Sequence, residues 1–413
     1  MALTAALASA PAPAGQQSVS PPSQMTGAAV VTLQDAIGRA RERSPLIDAA
    51  RQRERAAGSA RGLVTRLPNP LVELRGENFG PVSTTRLPRD VFATVSQPIE
   101  LGGKRGARQA TVAATSDLAA AEVSGAEWSV TFTVAETYID ALRARDVMVT
   151  LVDQRQSVGD IVALLTQRVR EGVSAEADLH KFETEYTRLT SSIARVSVAL
   201  ESALITLSSM IGEPLRPERL AAPVLAPQPP RPTALTETDI ASRADVRTAA
   251  GRLQRAETLA ALERARGVPD VTVTAGYKRT SGFDTGVASV TFPIGIFDRN
   301  RVAIAQASGE VGAARFELQL VKQRALTDAH TRWTAAQQLT AQALRSDAEL
   351  VAPAAIVRTA ARSAFVEGRG DVLQLVDAER VYGEASREAL ELRLDATLAV
   401  IQARLALGET PVP

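Results

Sequence analysis

The sequence predicts a mainly α-helical chain with a β-barrel portion, duplicated internally, whose four strands can close a barrel only by joining those of other copies. Three observations carry this. Aromatic residues make up only 4% of the 413 residues while alanine is abundant, which favours slender, closely packed helices over a wide globular core. The two halves of the chain repeat one another in register. Two segments of 67 residues, Lys104 to Arg170 and Asn300 to Val366, hold no Gly or Pro cluster that would force a break, and an unbroken helix of that length reaches about 100 Å.

Val95, Pro98 and Ile99 in "VSQPIELGGKR" return 195 positions later as Val290, Pro293 and Ile294 in "VTFPIGIFDRN". Glu171-Gly172, Leu179, Glu183, Tyr186 and Gly212-Glu213 return 196 positions later as Glu367-Gly368, Leu375, Glu379, Tyr382 and Gly408-Glu409. Matches that keep one offset mark a duplicated architecture. The chain thus divides into an N-terminal segment (1–30), a first repeat (31–213), a Pro-rich linker (214–234) that cannot continue a helix, and a second repeat (235–409).

The first repeat opens on Thr32 and Asp35, a capping-box-like start. The helix it begins runs until Pro68, with Pro45 kinking or breaking it near its start. A hairpin is expected within 70–99, as strands Leu71 to Phe79 and Val91 to Ile99 around a turn-rich loop, Gly80 to Arg89. Its counterpart lies within 270–295, as strands Val271 to Arg279 and Val287 to Ile294 around "TSGFDTG". Val271, Val273, Ala275 and Tyr277 alternate with Thr272, Thr274 and Lys278, giving one face suited to lipid and one to water. Strands of about 9 residues can cross an outer membrane when tilted, yet a single-chain barrel needs about 8 of them.

Long helices then occupy 104–170 and 300–366, and return helices 174–211 and 371–407. Ser174 and Asp371 are the expected N-caps, following the turn residues Gly172, Gly368 and Gly370. Leu179, Phe182, Tyr186, Leu189, Ile193, Val196 and Leu200 alternate spacings of three and four, a coiled-coil seam that should face the preceding helix. Leu390, Leu394, Leu398, Ile401 and Leu405 form the matching stripe in the second repeat.

Composition bounds the function. A formal charge of +1 from 47 basic and 46 acidic residues gives no field to steer nucleic acid. The absence of Cys leaves no disulfide, thiolate metal site or Cys nucleophile, and no thiol to carry a lipid. Met1 to Ala14, with Ala8, Ser9 and Ala10 in a cleavage-like pattern, reads equally as a signal-peptide remnant or a disordered tail. No run of about 18 apolar residues stands out, so no transmembrane helix is expected and any membrane crossing falls to the strands.

His180 and His330 each lie in a helix without another His at ligand spacing, so no metal site is expected. The run "GGKRGAR" lacks the glycine spacing of a phosphate loop and reads as a corner where a strand swings into a helix. Lys104, Arg105 and Arg108 would then snorkel toward anionic groups at the inner membrane interface. No Ser/His/Asp set and no singled-out carboxylate pair appears, so neither catalytic residue nor cofactor is expected.

Hairpin, long helix, tight turn and return helix, twice over, resembles the TolC-type outer-membrane factor family from about Leu33 onward. "QPIELGGKR" and "FPIGIFDRNR" look like the strand-to-helix corners of its CzcC-like heavy-metal efflux branch, and "REGVSAEADL" and "VEGRGDVLQLVDAER" are similar to the family's periplasmic tips. The resemblance implies a homotrimer, with a twelve-stranded barrel in the lipid of the cell outer membrane and a helical tunnel in the periplasm. It implies a passive, non-enzymatic conduit for heavy-metal cations delivered by a periplasmic adaptor (membrane fusion) protein and a proton-driven inner-membrane RND pump; a drug-efflux or type I secretion duct is the alternative. It places adaptor docking at Glu171, Gly172, Val173 and Ser174 and at Glu367, Gly368, Arg369, Gly370 and Asp371. It places the periplasmic aperture at Gln374 and Asp377, Gln374 standing where another acidic residue often does.

Overall fold

Thr32 and Asp35 trade hydrogen bonds, the Asp35 N–H to the Thr32 hydroxyl at 3.1 Å and the Thr32 N–H to the Asp35 carboxylate at 3.0 Å, and this reciprocal cap opens α1 (Leu33–Arg43). The computed structural model describes residues 30–64, 66–78, 89–222 and 235–410. The Met1 to Ala14 segment, most of the loop of the first hairpin and most of the Pro-rich linker lie outside them. Pro45 is the first residue of α2 (Pro45–Leu63): the first helical turn has no partner for its N–H groups, so proline fits there but splits α2 from α1.

Strands β1 (Leu71–Glu77), β2 (Asp90–Ile99), β3 (Val271–Thr280) and β4 (Phe283–Thr291) form one antiparallel sheet in the order β1-β2-β3-β4. The second hairpin departs from expectation. Its strands are joined by Ser281 and Gly282 alone, both at positive φ (50° and 91°), so the stretch expected as a loop from Phe283 to Gly286 is strand. Two residues in the left-handed region make the tight turn whose twist matches the strands.

α3 (Lys104–Arg170) runs 67 residues without a break. Its counterpart does not. The expected helix over 300–366 is α6 (Arg301–Ser346), a π-helical turn at Asp347–Val351, and α7 (Ala352–Val366). Pro353 has no N–H to donate and its ring would meet the carbonyl one turn back. The chain widens to accommodate it, the Ala352 N–H reaching back to the Asp347 carbonyl.

The return helices are α4 (Glu176–Ile211) and α8 (Val372–Ala406), and α5 (Ala244–Arg266) leads into β3. Asp371 caps α8, accepting from the Leu373 N–H at 3.3 Å. Ser174 does not cap α4: Ala175 takes that place with no side-chain bond, so the helix starts one residue later than expected. Phe182 and Leu189 are fully buried against Val158, Ile161 and Leu165 of α3, with Leu179, Ile193 and Val196 half-buried beside them. Tyr186 sits at the seam's margin, 39% exposed, under the Arg155 guanidinium. The expectation of no membrane-length apolar helix needs correction: α4 is long and apolar enough by composition to cross a membrane. Its seam lies on α3, while Val198 and Ile205 on its outer side are bare.

A second core gathers around Tyr138, with Ile139, Leu142, Leu207, Ile211 and Leu394. The Tyr138 hydroxyl lies 2.8 Å from the Val31 carbonyl and 2.7 Å from that of Ala221. Burial pushes its pKa up to about 12, so it remains a donor that ties the start of the first repeat to the linker.

Candidate functional site

The tips at one end of the helical bundle are built by the same device twice. After α3, Gly172 at φ 73° ends the helix, the Val173 N–H bonding the Arg168 carbonyl and the Gly172 N–H that of Val169. After α7, Gly368 at φ 74° repeats this, Arg369 bonding Ala364 and Gly368 bonding Phe365. Such double bonds close carbonyls that a helix end otherwise orphans, and they need a residue tolerant of the left-handed region. Gly370 has another reason: a Cβ there would stand 2.7 Å from the Phe365 backbone nitrogen.

The structure brings the two tips together. Leu165, Phe365, Val372 and Leu375 share one core, and Arg168 reaches from the first tip to the Phe365 and Val366 carbonyls. Neither Arg168 nor Phe365 was singled out from the sequence; a basic residue in a last helical turn was the only available signal. At the surface, Val173 is 71% exposed, Ser174 is half-buried, Glu171 accepts from Gln167 at 2.9 Å and Glu367 pairs with Arg369.

Gln374 and Asp377 lie on the exposed face of α8, opposite Val372, Leu375 and Ala378. Asp377 is not a free charge: Arg380, one turn on, bonds it at 2.8 Å. The buried face of α8 carries a carboxylate that sequence reasoning passed over. Glu379 is 2% exposed and neither of its oxygens finds a hydrogen-bond partner. Burial raises its pKa, against the pull of Arg358 and Arg362.

At the other end, the sheet separates its residues by chemistry. Val72, Leu74, Val91, Val95, Val273 and Val290 share one face by register and are all at least 40% exposed. The opposite face carries Arg75, Asp90, Thr94, Ser96, Thr274 and Lys278, with Lys278 paired to Asp90 at 2.9 Å and Ser96 to Thr274 at 2.8 Å. A sheet mainly aliphatic on one side, apart from the Arg279–Asp284 pair beside its tight turn, and mainly polar on the other suits hydrocarbon outside and water within.

Of the basic corner, Arg105 is exposed, but the other two residues do not reach outward as expected. Lys104 is buried on Asp270 at 2.7 Å, and Arg108 is engaged by Glu100. The histidines are exposed: His180 lies 2.8 Å from Glu183, which holds it above its usual value, and His330 meets Thr334 at 3.3 Å. Among the described residues no group of three His, Cys, Asp or Glu is placed to hold a metal ion.

Comparison with known proteins gives the same architecture and a set of sequence relatives. The chain is 27% identical over 328 residues, 77% of its length and 76% of the relative's, to the cobalt-zinc-cadmium resistance protein CzcC of Cupriavidus metallidurans. It is 28% identical over 287 residues, 65% of its length and 62% of the relative's, to the nickel-cobalt-cadmium resistance protein NccC of Alcaligenes xylosoxydans xylosoxydans. Its fold matches the outer membrane protein VceC of Vibrio cholerae at a TM-score of 0.75 and 18% identity, covering 92% of this chain and 96% of that one. The family model for outer membrane efflux protein matches residues 36–213 and 235–409, and the chain therefore belongs to the outer membrane efflux protein family.

Proposed function

We propose that this chain is the outer-membrane duct of a tripartite, proton-driven efflux system, passing heavy-metal cations from an inner-membrane RND pump and a periplasmic adaptor to the exterior. The observation that carries the reading is the four-stranded sheet, mainly aliphatic on one face and mainly polar on the other, whose edge strands β1 and β4 have no further strand partner among the described residues. Three copies, twelve strands in all, would close it into a barrel with a wet lumen. The metal assignment draws on the cobalt-zinc-cadmium and nickel-cobalt-cadmium relatives. Conduction needs no chemistry from the duct; selectivity would reside in the pump and adaptor. The tips Glu171–Ser174 and Glu367–Asp371 would receive the adaptor hairpin, supported by their position beyond the coiled coils and by the bare Val173. Gln374 and Asp377 would line the periplasmic aperture. A deletion strain tested against zinc, cobalt, cadmium, nickel, copper and detergents checks the reading: hypersensitivity to metals is expected. Sensitivity confined to dyes and detergents would reassign the duct to drug efflux.

A further inference from the structure

The duplication supplies a template for a contact that one chain cannot make alone. Inside the chain the two repeats meet side by side. β2 pairs with β3, Val95 opposite Ala275, and α3 packs against α2 and against α5. The corner after β2 closes on the segment before β3: a Cβ on Gly102 would stand 2.7 Å from that of Val268. Asp270 accepts the Leu101 N–H at 3.0 Å and the Lys104 ammonium at 2.7 Å.

The same surfaces recur, uncovered, at the two flanks of the chain. Leu74 stands opposite Ala93 in the first hairpin as Ala275 stands opposite Ala288 in the second. The flank equivalents of Val95 and Ala275 are therefore Val290 and Leu74, which are 63% and 79% exposed. On α3, Ala119 is buried; 197 positions later, counted from the matching helix caps Gly103 and Asn300, α6 presents Phe316 at 73% exposure. The corner after β4 bares Ile294, Ile296 and Phe297, the last 99% exposed. The segment matching Val268 carries Leu67, 63% exposed, four residues after Leu63, which ends α2 and is 58% exposed.

We propose that the Ile294–Phe297 corner of one copy packs on Leu63 and Leu67 of the next copy, an apolar clasp in the place that Gly102, Lys104 and Asp270 fill between the repeats within one chain. This rests on the reading that several copies share one barrel. The chemistry at the two junctions differs in a consistent way: Asn69 stands where the template has Asp270, so that position offers no carboxylate for a charged lock, and bulky apolar side chains stand near the place of Gly102. Both halves of the clasp are bare in the single chain, and they lie on opposite flanks, which is the head-to-tail arrangement that closes into a ring. A lipid surface is the rival occupant of the corner, but it would leave the matching exposure of Leu63 and Leu67 without a role.

The absence of native Cys makes the test clean. Full-length chains carrying Leu67→Cys with Phe297→Cys, and separately Leu74→Cys with Val290→Cys, are treated in outer membranes with a short bis-maleimide cross-linker, which adds one thiol at each end. Leu67→Cys with Ile296→Cys repeats the clasp test in case Phe297 variants assemble poorly. Cross-linking of the clasp and strand pairs into covalent oligomers, most of the chain shifted in each case, is the expected result. Cross-linking of the strand pair with both clasp pairs left monomeric overturns the clasp and leaves the barrel standing; quenching of a fluorophore at position 297 by nitroxide lipids would then identify lipid as the occupant. Failure of all pairs removes the shared-barrel reading and the clasp with it.

Discussion

The guanidinium of Arg168 lies 4.7 Å from the centre of the Phe365 ring and donates to the Phe365 and Val366 carbonyls at 3.3 Å, so one side chain binds the end of α3 to the end of α7. It stacks and caps at once, because a planar guanidinium can present its face to a ring and its edge to carbonyls. Arg168→Ala should weaken the junction by about 1–3 kcal/mol. Hydrogen exchange should quicken at Glu171–Ser174 and Glu367–Asp371 while the Tyr138 core stays protected. Arg168→Lys should fall between, keeping charge but losing the fork. Unchanged exchange at both tips in Arg168→Ala would show that the side chain does not join them.

Glu379 faces the opposite problem, a carboxylate buried with no donor on either oxygen. Its pKa is raised from 4.5 by burial, so the fold favours the protonated form. The contribution of Glu379 to stability should be greatest below about 4.5 and fall as pH rises from there through the raised folded value. Glu379→Gln removes the charge while keeping the shape, and should stabilise the protein at neutral pH by about 1–3 kcal/mol, with a flatter stability profile across that window. Thermal unfolding in detergent from pH 4 to 8 measures both; an unchanged profile would mean that Glu379 is solvated in the assembled protein.

These two groups also show where the sequence is informative. The Thr32–Asp35 cap, the break at Pro45 and the 3-4 seam of α4 are local or periodic signals, and each is readable because its partners lie within a few residues or on one helix face. Arg168 and Phe365 meet across the repeats, 197 residues apart, where periodicity carries no information. Glu379 repeats Glu183 in sequence, yet Glu183 is exposed beside His180 whereas Glu379 is enclosed by the α8 packing. A duplication preserves residue types while giving the two copies different neighbours. Pro353 was passed over because a lone proline in a long apolar pattern reads as tolerated, and it is tolerated, through a π-helical turn.

Leu189 tests the α3–α4 seam. Its side chain is fully buried beside Val158 and Ile161, and burial of a leucine contributes about 2 kcal/mol. Leu189→Asp loses that and sets an unpaired charge in the core at a cost of about 3–5 kcal/mol. The yield of detergent-extracted oligomer should drop steeply, whereas Leu189→Met should leave it near normal. Normal assembly of the Asp variant would mean that the seam opens to water in the assembled protein.

Asp377 and Arg380 set the charge of the proposed aperture between them. The carboxylate takes the Arg380 guanidinium at 2.8 Å, and that bond raises the Arg380 pKa, so the pair is close to neutral as it stands. Three Asp377 side chains about 8 Å apart would repel by roughly 0.5 kcal/mol per pair in water and about 2 kcal/mol at an intermediate dielectric. Arg380, if it stays paired in the assembly, removes much of that. Cation preference should therefore respond in opposite directions to the two partners. Arg380→Gln should strengthen it and deepen block by added divalent ions, while Asp377→Asn should weaken both, and the double variant, neutral like the native pair, should resemble wild type. Single-channel recording in planar bilayers reads all three. Equal selectivity and equal block in both single variants would place Asp377 outside the constriction, because a charged group at the narrowest point cannot be added or removed without changing the field an ion crosses.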